Sequence, residues 1–120
     1  MITETHTILA FENLASELRR GVVALAVLAQ CRSPQYGYSL KQSLASAGLE
    51  INEGTLYPLL RRLEEQALLS SEWRLADESR PRRYYRISPA GEEALVYLAE
   101  DWRTLSAALD RLIRSEGASK

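Results

Sequence analysis

The stretch Glu53-Gly-Thr-Leu-Tyr-Pro-Leu-Leu-Arg-Arg-Leu-Glu-Glu-Gln66, with Arg80-Pro-Arg-Arg-Tyr-Tyr-Arg86 downstream of it, decides the fold of this chain. In the first segment Leu56, Leu60 and Leu63, helped by Leu59 and Ala67, recur at helical spacing and predict one buried face. Asn52 is a good N-cap, and Glu53 complements the positive end of the helix dipole. Pro58 costs little this near a helix start. Thr55, Pro58, Arg61, Arg62 and Glu65 lie on the other side, with Tyr57 at the boundary. Beyond this helix, Leu69, Ser71, Trp73 and Leu75 alternate with Ser70, Glu72 and Arg74, the period of a half-buried strand. Asp77 to Pro81 reads as a turn, and Tyr85 and Ile87 point inward from the return strand. An isolated hairpin is marginal, so Trp73 and Tyr85 are expected to pack onto the helices. A helix offering Thr, Tyr and Arg, beside a hairpin offering an arginine cluster, can enter a major groove while the arginines hold flanking phosphates.

Outward from that stretch the remaining pattern is helical. Leu14, Leu18, Val22, Leu25 and Leu28 predict a helix over 13–30, with residues 1–12 either fraying or extending it. Its second half is apolar nearly all round and is expected at the centre of the core. Pro34 and Gly37 mark a break, and a second helix over 38–47 turns Leu40 and Leu44 inward, with Gly48 just past its end. Ser88-Pro89 is an N-cap with proline at the first helical position, opening a last helix to about Ser115. The fold class is therefore mainly α with a small β-hairpin (α+β). It is a single domain over 1–120: a winged helix-turn-helix over 13–87, then a long dimerisation helix over 88–115.

Composition narrows the partners. At 120 residues, 46% hydrophobic and 26% charged, the chain is ordinary globular material. Its formal net charge of −1 argues against indiscriminate coating of nucleic acid, but not against a reader with one basic face. Of 15 basic residues only Lys41 and Lys120 are lysines. That bias suits bidentate contacts to phosphate or guanine, and a high genomic G+C content gives it without function. The lone Cys31 excludes an internal disulfide and reads as a small buried thiol rather than a redox sensor. No apolar run is long enough to span a bilayer, and no secretory signal opens the chain, so a cytoplasmic location is expected.

The candidate DNA contacts are Tyr38, Lys41, Thr55, Tyr57, Pro58, Arg61, Arg80, Arg82 and Arg83. The bland reading of the helix positions is a solvated face, and of the arginines a solubilising strand edge. It is the adjacency of helix and wing that favours DNA. Alternation puts Arg82 and Arg86 on one face and Arg83 on the other, with Arg86 expected to pair with an acidic neighbour. In the last helix Leu95, Leu98, Trp102, Leu105, Leu109 and Leu112 form an a/d seam. A helix of roughly 27 residues is about 40 Å long, more than so small a domain covers, so the seam is expected between chains. Trp102 is either a packing anchor or a stacking platform for a planar effector. No enzyme chemistry finds support. His6 is the single histidine, and there is no phosphate loop, metal-ligand spacing or cofactor motif.

These residues resemble the PadR family of bacterial transcriptional regulators, from about Gly21 to Trp102. The resemblance rests on Tyr36-Gly-Tyr-Ser-Leu40, Gly54-Thr-Leu-Tyr-Pro-Leu-Leu-Arg-Arg-Leu-Glu64, Ser70-Ser-Glu-Trp73 and Arg80-Pro-Arg-Arg-Tyr-Tyr-Arg-Ile-Ser-Pro-Ala-Gly91. Tyr36 departs from the family, where His is common, and Ser79 stands where Gly is frequent. The resemblance implies a winged-helix repressor of double-stranded DNA, in the short subgroup with one C-terminal helix. It also implies a homodimer through the first and last helices, which adds Leu14 and Leu18 to the interface, with flat aromatic or cationic effectors bound there in some members. A winged-helix protein-interaction module without DNA binding is the alternative; it gives no reason to keep both the arginine wing and the open Thr55, Tyr57 and Arg61 surface.

Overall fold

The computed structural model describes the backbone of residues 3–75 and 80–118. The order is α1 (Thr3–Gln30), α2 (Gly37–Ser46), α3 (Glu53–Glu65), β1 (Leu69–Leu75), β2 (Pro81–Ile87) and α4 (Pro89–Ala118). The sequence-based expectation of four helices around one hairpin is met. α1 starts ten residues before Asn13, so the weakly patterned N-terminal stretch extends the helix. The turn expected over Asp77–Pro81 falls mainly on 76–79, outside the described residues.

One core joins all the elements at the base of the wing. Val23, Val27, Leu28 and Cys31 from α1 meet Leu40 and Leu44 from α2 and Leu56, Leu59, Leu60 and Leu63 from α3. Ile51, Leu69, Tyr85 and Ile87 complete it. Each fully buried leucine contributes about 1.5–3 kcal/mol of transfer free energy. Cys31 lies in this cluster, and burial pushes its thiol up to about 12. That is the behaviour of an inert packing residue.

The helix ends are set locally. Gly48 takes φ +100° just past α2, letting the Leu49 amide donate to the Leu44 carbonyl at 2.8 Å. α3 stops the same way without a glycine. Ala67 has φ 64°, and the Leu68 amide donates to the Leu63 carbonyl at 2.9 Å. Ala67 is therefore exposed at the helix end rather than on the buried face, because the left-handed turn swings its Cβ away from the core. Ser88 Oγ accepts from the Gly91 amide at 3.0 Å and donates to the Ala67 carbonyl at 2.6 Å, capping α4 while tying it to the end of α3. A methyl group on Gly91 would collide with the Leu68 carbonyl, so α4 starts in close contact with the α3–β1 joint.

β1 and β2 pair antiparallel from Leu69↔Ile87 to Leu75↔Pro81. The segment before α2 supports the wing from its other edge. Gln35 and Tyr85 exchange backbone hydrogen bonds at 3.0 and 2.7 Å, and the Ile87 amide donates to the Cys31 carbonyl at 2.8 Å. Tyr85 and Ile87 are buried as expected. Trp73 is not: it is 62% exposed, and Leu75 is exposed too. The alternation of the strand is intact, but beyond Ser71 its inner face meets charged rather than core groups: the Arg83 guanidinium lies 5.4 Å from the centre of the Trp73 ring. The molecule is long, 63 × 36 × 25 Å.

Candidate nucleic-acid interface

The exposed arc of α3 begins at a capped end. Asn52 Oδ1 accepts from the Thr55 amide at 2.9 Å, and Glu53 follows in the first turn. Pro58 is the sixth residue of α3, so its missing N–H withholds the intrahelical hydrogen bond that the Gly54 carbonyl would otherwise accept. Tyr57, Arg61, Gly54, Pro58, Arg62 and Thr55 sweep the arc in that angular order. Tyr57 marks the margin toward α2. It is 40% exposed, and its ring lies so close over Gly37 that a methyl group there would collide with its hydroxyl and ring carbons. Thr55, Pro58 and Arg62 mark the other margin. They border a groove of about 560 Å³ shared with Phe11 and Val23 of α1. Lys41 of α2 lies 3.8 Å from the Glu53 carboxylate, an exposed pair that a competing phosphate can open. Tyr38 is exposed beside it.

The wing divides its arginines. Arg82 turns toward the start of α2, its guanidinium 4.3 Å from the centre of the Tyr36 ring. Arg83 turns the other way, 3.5 Å from the Glu64 carboxylate, which also accepts from Ser71 Oγ at 2.6 Å. Arg83 thus ties the wing to the end of α3. Its charge, with that of Arg61, partly offsets the burial that raises the Tyr85 hydroxyl above its usual range. Arg80 is exposed at the outer end of the wing. The acidic partner expected for Arg86 is not found: among the described residues no carboxylate pairs with it. The assembled surface is therefore a capped helix carrying Tyr57 and Arg61, flanked by Arg80 and Arg82.

Known proteins share this fold. The profile of the "Transcriptional regulator PadR-like family" matches residues 24–96. The chain belongs to that family. It is 43% identical over 90 residues, 74% of this chain and 80% of the relative, to "Transcriptional regulator Rv3488" of Mycobacterium tuberculosis. A crystal structure of a PadR family transcriptional regulator from Eggerthella lenta superposes with a TM-score of 0.76 at 43% identity, covering 88% of this chain and 96% of that one. A PadR-like regulator from Bacillus cereus gives 0.73 at 27% identity, covering 82% and 97%. The chain is thus a transcriptional regulator of the PadR family and not an enzyme, and regulators of this family bind DNA.

The rest of this PadR-like chain is dominated by uncovered apolar surface. Leu98, Trp102, Leu105, Leu109 and Leu112 of α4 are exposed, as are Leu14 and Leu18 of α1. Leu95 differs: it is half-buried against its own core, because it sits in the part of α4 that still overlaps α1. The structure adds Ile8, Leu9 and Phe11 to this surface, from a stretch whose sequence pattern is weak. Trp102 is 49% exposed and borders neither the groove beside α3 nor the small cleft lined by Pro34, Tyr84 and Arg86. Among the described residues no cluster could hold a metal ion, and no helix is long and apolar enough to cross a membrane. Sequence reasoning missed the ring cluster of Tyr36 and Tyr84. Its one signal was that Arg82 and Tyr84 share a face of β2 by alternation, and Tyr36 registered only as a departure from the family.

Proposed function

We propose that this PadR-like regulator is a sequence-specific, ligand-responsive repressor in the cytoplasm, binding a dyad operator as a homodimer. The observation that carries the DNA-binding surface is the juxtaposition of Tyr57 and Arg61 on α3 with Arg82 on the wing. The helix residues read base edges, and Arg80 and Arg82 contact phosphate or the minor groove. Tyr38, Lys41, Thr55 and Pro58 border the same surface, whereas Arg83 serves the wing's attachment to α3.

Dimerisation is supported by shape and by exposed apolar surface. A compact chain of this length has a radius of gyration of about 14 Å, and this one has 17.9 Å. The excess comes from helix ends that carry Phe11, Leu14, Leu18, Leu105, Leu109 and Leu112 into solvent. A second chain laid along α4 covers them, as the typically dimeric state of the family also suggests. Trp102, near the middle of that seam, would then meet its counterpart close to the dyad and form a slot for a flat aromatic or cationic effector. The test is a gel shift on the DNA upstream of the protein's own gene, at stated salt, with light scattering of the free protein. A dimer that shifts this DNA in preference to a scrambled duplex supports the reading. A monomer, or equal affinity for both duplexes, overturns it.

A further inference from the structure

We propose that Tyr36 is a positioning residue for the DNA contact made by Arg82; this rests on the reading that the wing touches phosphates. Tyr36 lies at the start of α2, and its ring faces three neighbours at once. The Arg82 guanidinium stands over it at 4.3 Å, the Tyr84 ring meets it edge-on at 5.3 Å, and the Tyr38 ring stacks at 6.4 Å. Arg74 stands over Tyr84 at 4.8 Å and is anchored by Glu72 at 2.8 Å. The result is a ladder from the wing's solvent-side face to the first turn of α2.

The base of that ladder is rigid. The Tyr36 amide donates to Ser39 Oγ at 3.1 Å, and Ser39 Oγ donates to Gln35 Oε1 at 2.8 Å. Gln35 is itself paired to Tyr85 through the backbone. The ring therefore sits on fixed backbone, between the helix-turn-helix and the wing. Stacking uses the face of a guanidinium and leaves its N–H donors pointing outward in the plane. Arg82 held this way keeps its donors for a phosphate while losing the side-chain freedom it would otherwise surrender on binding. The ladder also fixes the tilt of the wing relative to α2, and so the distance between the wing's phosphate contact and the groove entered by α3.

The test is a double-mutant cycle on the full chain: Tyr36→Leu, Arg82→Ala and the pair, with Tyr36→Phe as the conservative variant. The probe is a fluorescein-labelled mixed-sequence duplex titrated across a salt series, because phosphate contacts need no operator. Arg82→Ala should shallow the log–log salt slope by about one unit. Tyr36→Leu should weaken binding by about two- to fivefold in the wild-type background and not at all beside Arg82→Ala. Tyr36→Phe should bind as wild type. Where Tyr36→Leu fails to fold, Phe at 36 is compared with pentafluorophenylalanine there, which keeps the volume and depletes the ring's electron density; the fluorinated protein should show the same loss. Equal losses from Tyr36→Leu with and without Arg82, or full binding by the fluorinated protein, would sink the positioning role and leave the wing contact standing. An unchanged slope in Arg82→Ala would sink both.

Discussion

Gly37→Ala separates the stability of this regulator from its reading of DNA. A Cβ at position 37 would overlap the Tyr57 hydroxyl and two of its ring carbons, so the whole ring must leave its place over α2. The cost to folding is small. Tyr57 is 40% exposed and can swing into solvent, while alanine in place of glycine at a helix position recovers about 0.5–1 kcal/mol. Overpacking that a flexible, half-exposed side chain can escape stays near the low end of about 1–3 kcal/mol, so the terms nearly cancel. The effect on DNA does not cancel. A base contact contributes about 1–3 kcal/mol of discrimination, which corresponds to roughly five- to 140-fold in affinity. The assay is thermal unfolding beside titration of two duplexes, one selected by the wild-type protein from a random pool and one scrambled. The expected result is a melting temperature within a few degrees of wild type, with specific affinity falling toward non-specific. Unchanged discrimination at unchanged stability would refute the role given to Tyr57. A large loss of stability would refute the claim that its ring is free to move.

Other consequences can be measured independently. Replacing Arg80 and Arg82 together with alanine should weaken selected and scrambled duplexes alike and shallow the salt slope by about two units; an unchanged slope means neither touches phosphate. Leu105→Glu with Leu109→Glu should give a folded monomer by light scattering that has lost tight operator binding, and a monomer binding the operator at wild-type affinity contradicts the dimer. Ala67→Gly should raise the melting temperature by a few degrees, since a left-handed alanine costs about 1 kcal/mol that glycine avoids; no rise means the α3 end is not held there in solution. Cys31, its thiol pushed up to about 12 by burial, should resist alkylation at pH 8 until the chain unfolds. The same shift means its stabilising contribution is complete below the ordinary thiol range and is lost as pH rises toward the folded value, so stability should decline above about pH 9.

What the sequence revealed, and what it withheld, follows from the range of the forces involved. The α3 face, the Asn52 and Ser88 caps and the inward Tyr85 and Ile87 were legible because each depends on neighbours within one turn or one strand pair. Ala67 was misread because helical spacing continues through it, while the left-handed residue that ends α3 carries no glycine to announce it. Trp73 was misread because alternation reports which face a residue takes, not whether anything covers that face. The partners of Arg82 and Arg83 were out of reach for a related reason. Which arginine meets an aromatic ring and which meets Glu64 depends on how the hairpin is tilted over the helices, and that is a tertiary fact.

The split between Arg82 and Arg83 also bears on how so nearly neutral a chain can favour DNA. Net charge of −1 gives little long-range steering, so local placement must do most of the work. Arg83 is spent on Glu64, and Lys41 is held beside Glu53. On α3 and the wing Arg61, Arg62, Arg80, Arg82 and Arg86 have no carboxylate partner among the described residues, and two of them are set on fixed elements: Arg61 on a capped helix, Arg82 on a tyrosine ring. Each of these arginines that reaches a phosphate adds about one unit to the log–log salt slope, so the slope reports how many of them touch DNA. Under the proposed dimer, preference for an operator comes from fitting the groove geometry with both subunits at once. Under the same proposal, a flat molecule wedged beside Trp102 shifts operator affinity to the extent that it binds one angle between the two subunits better than another.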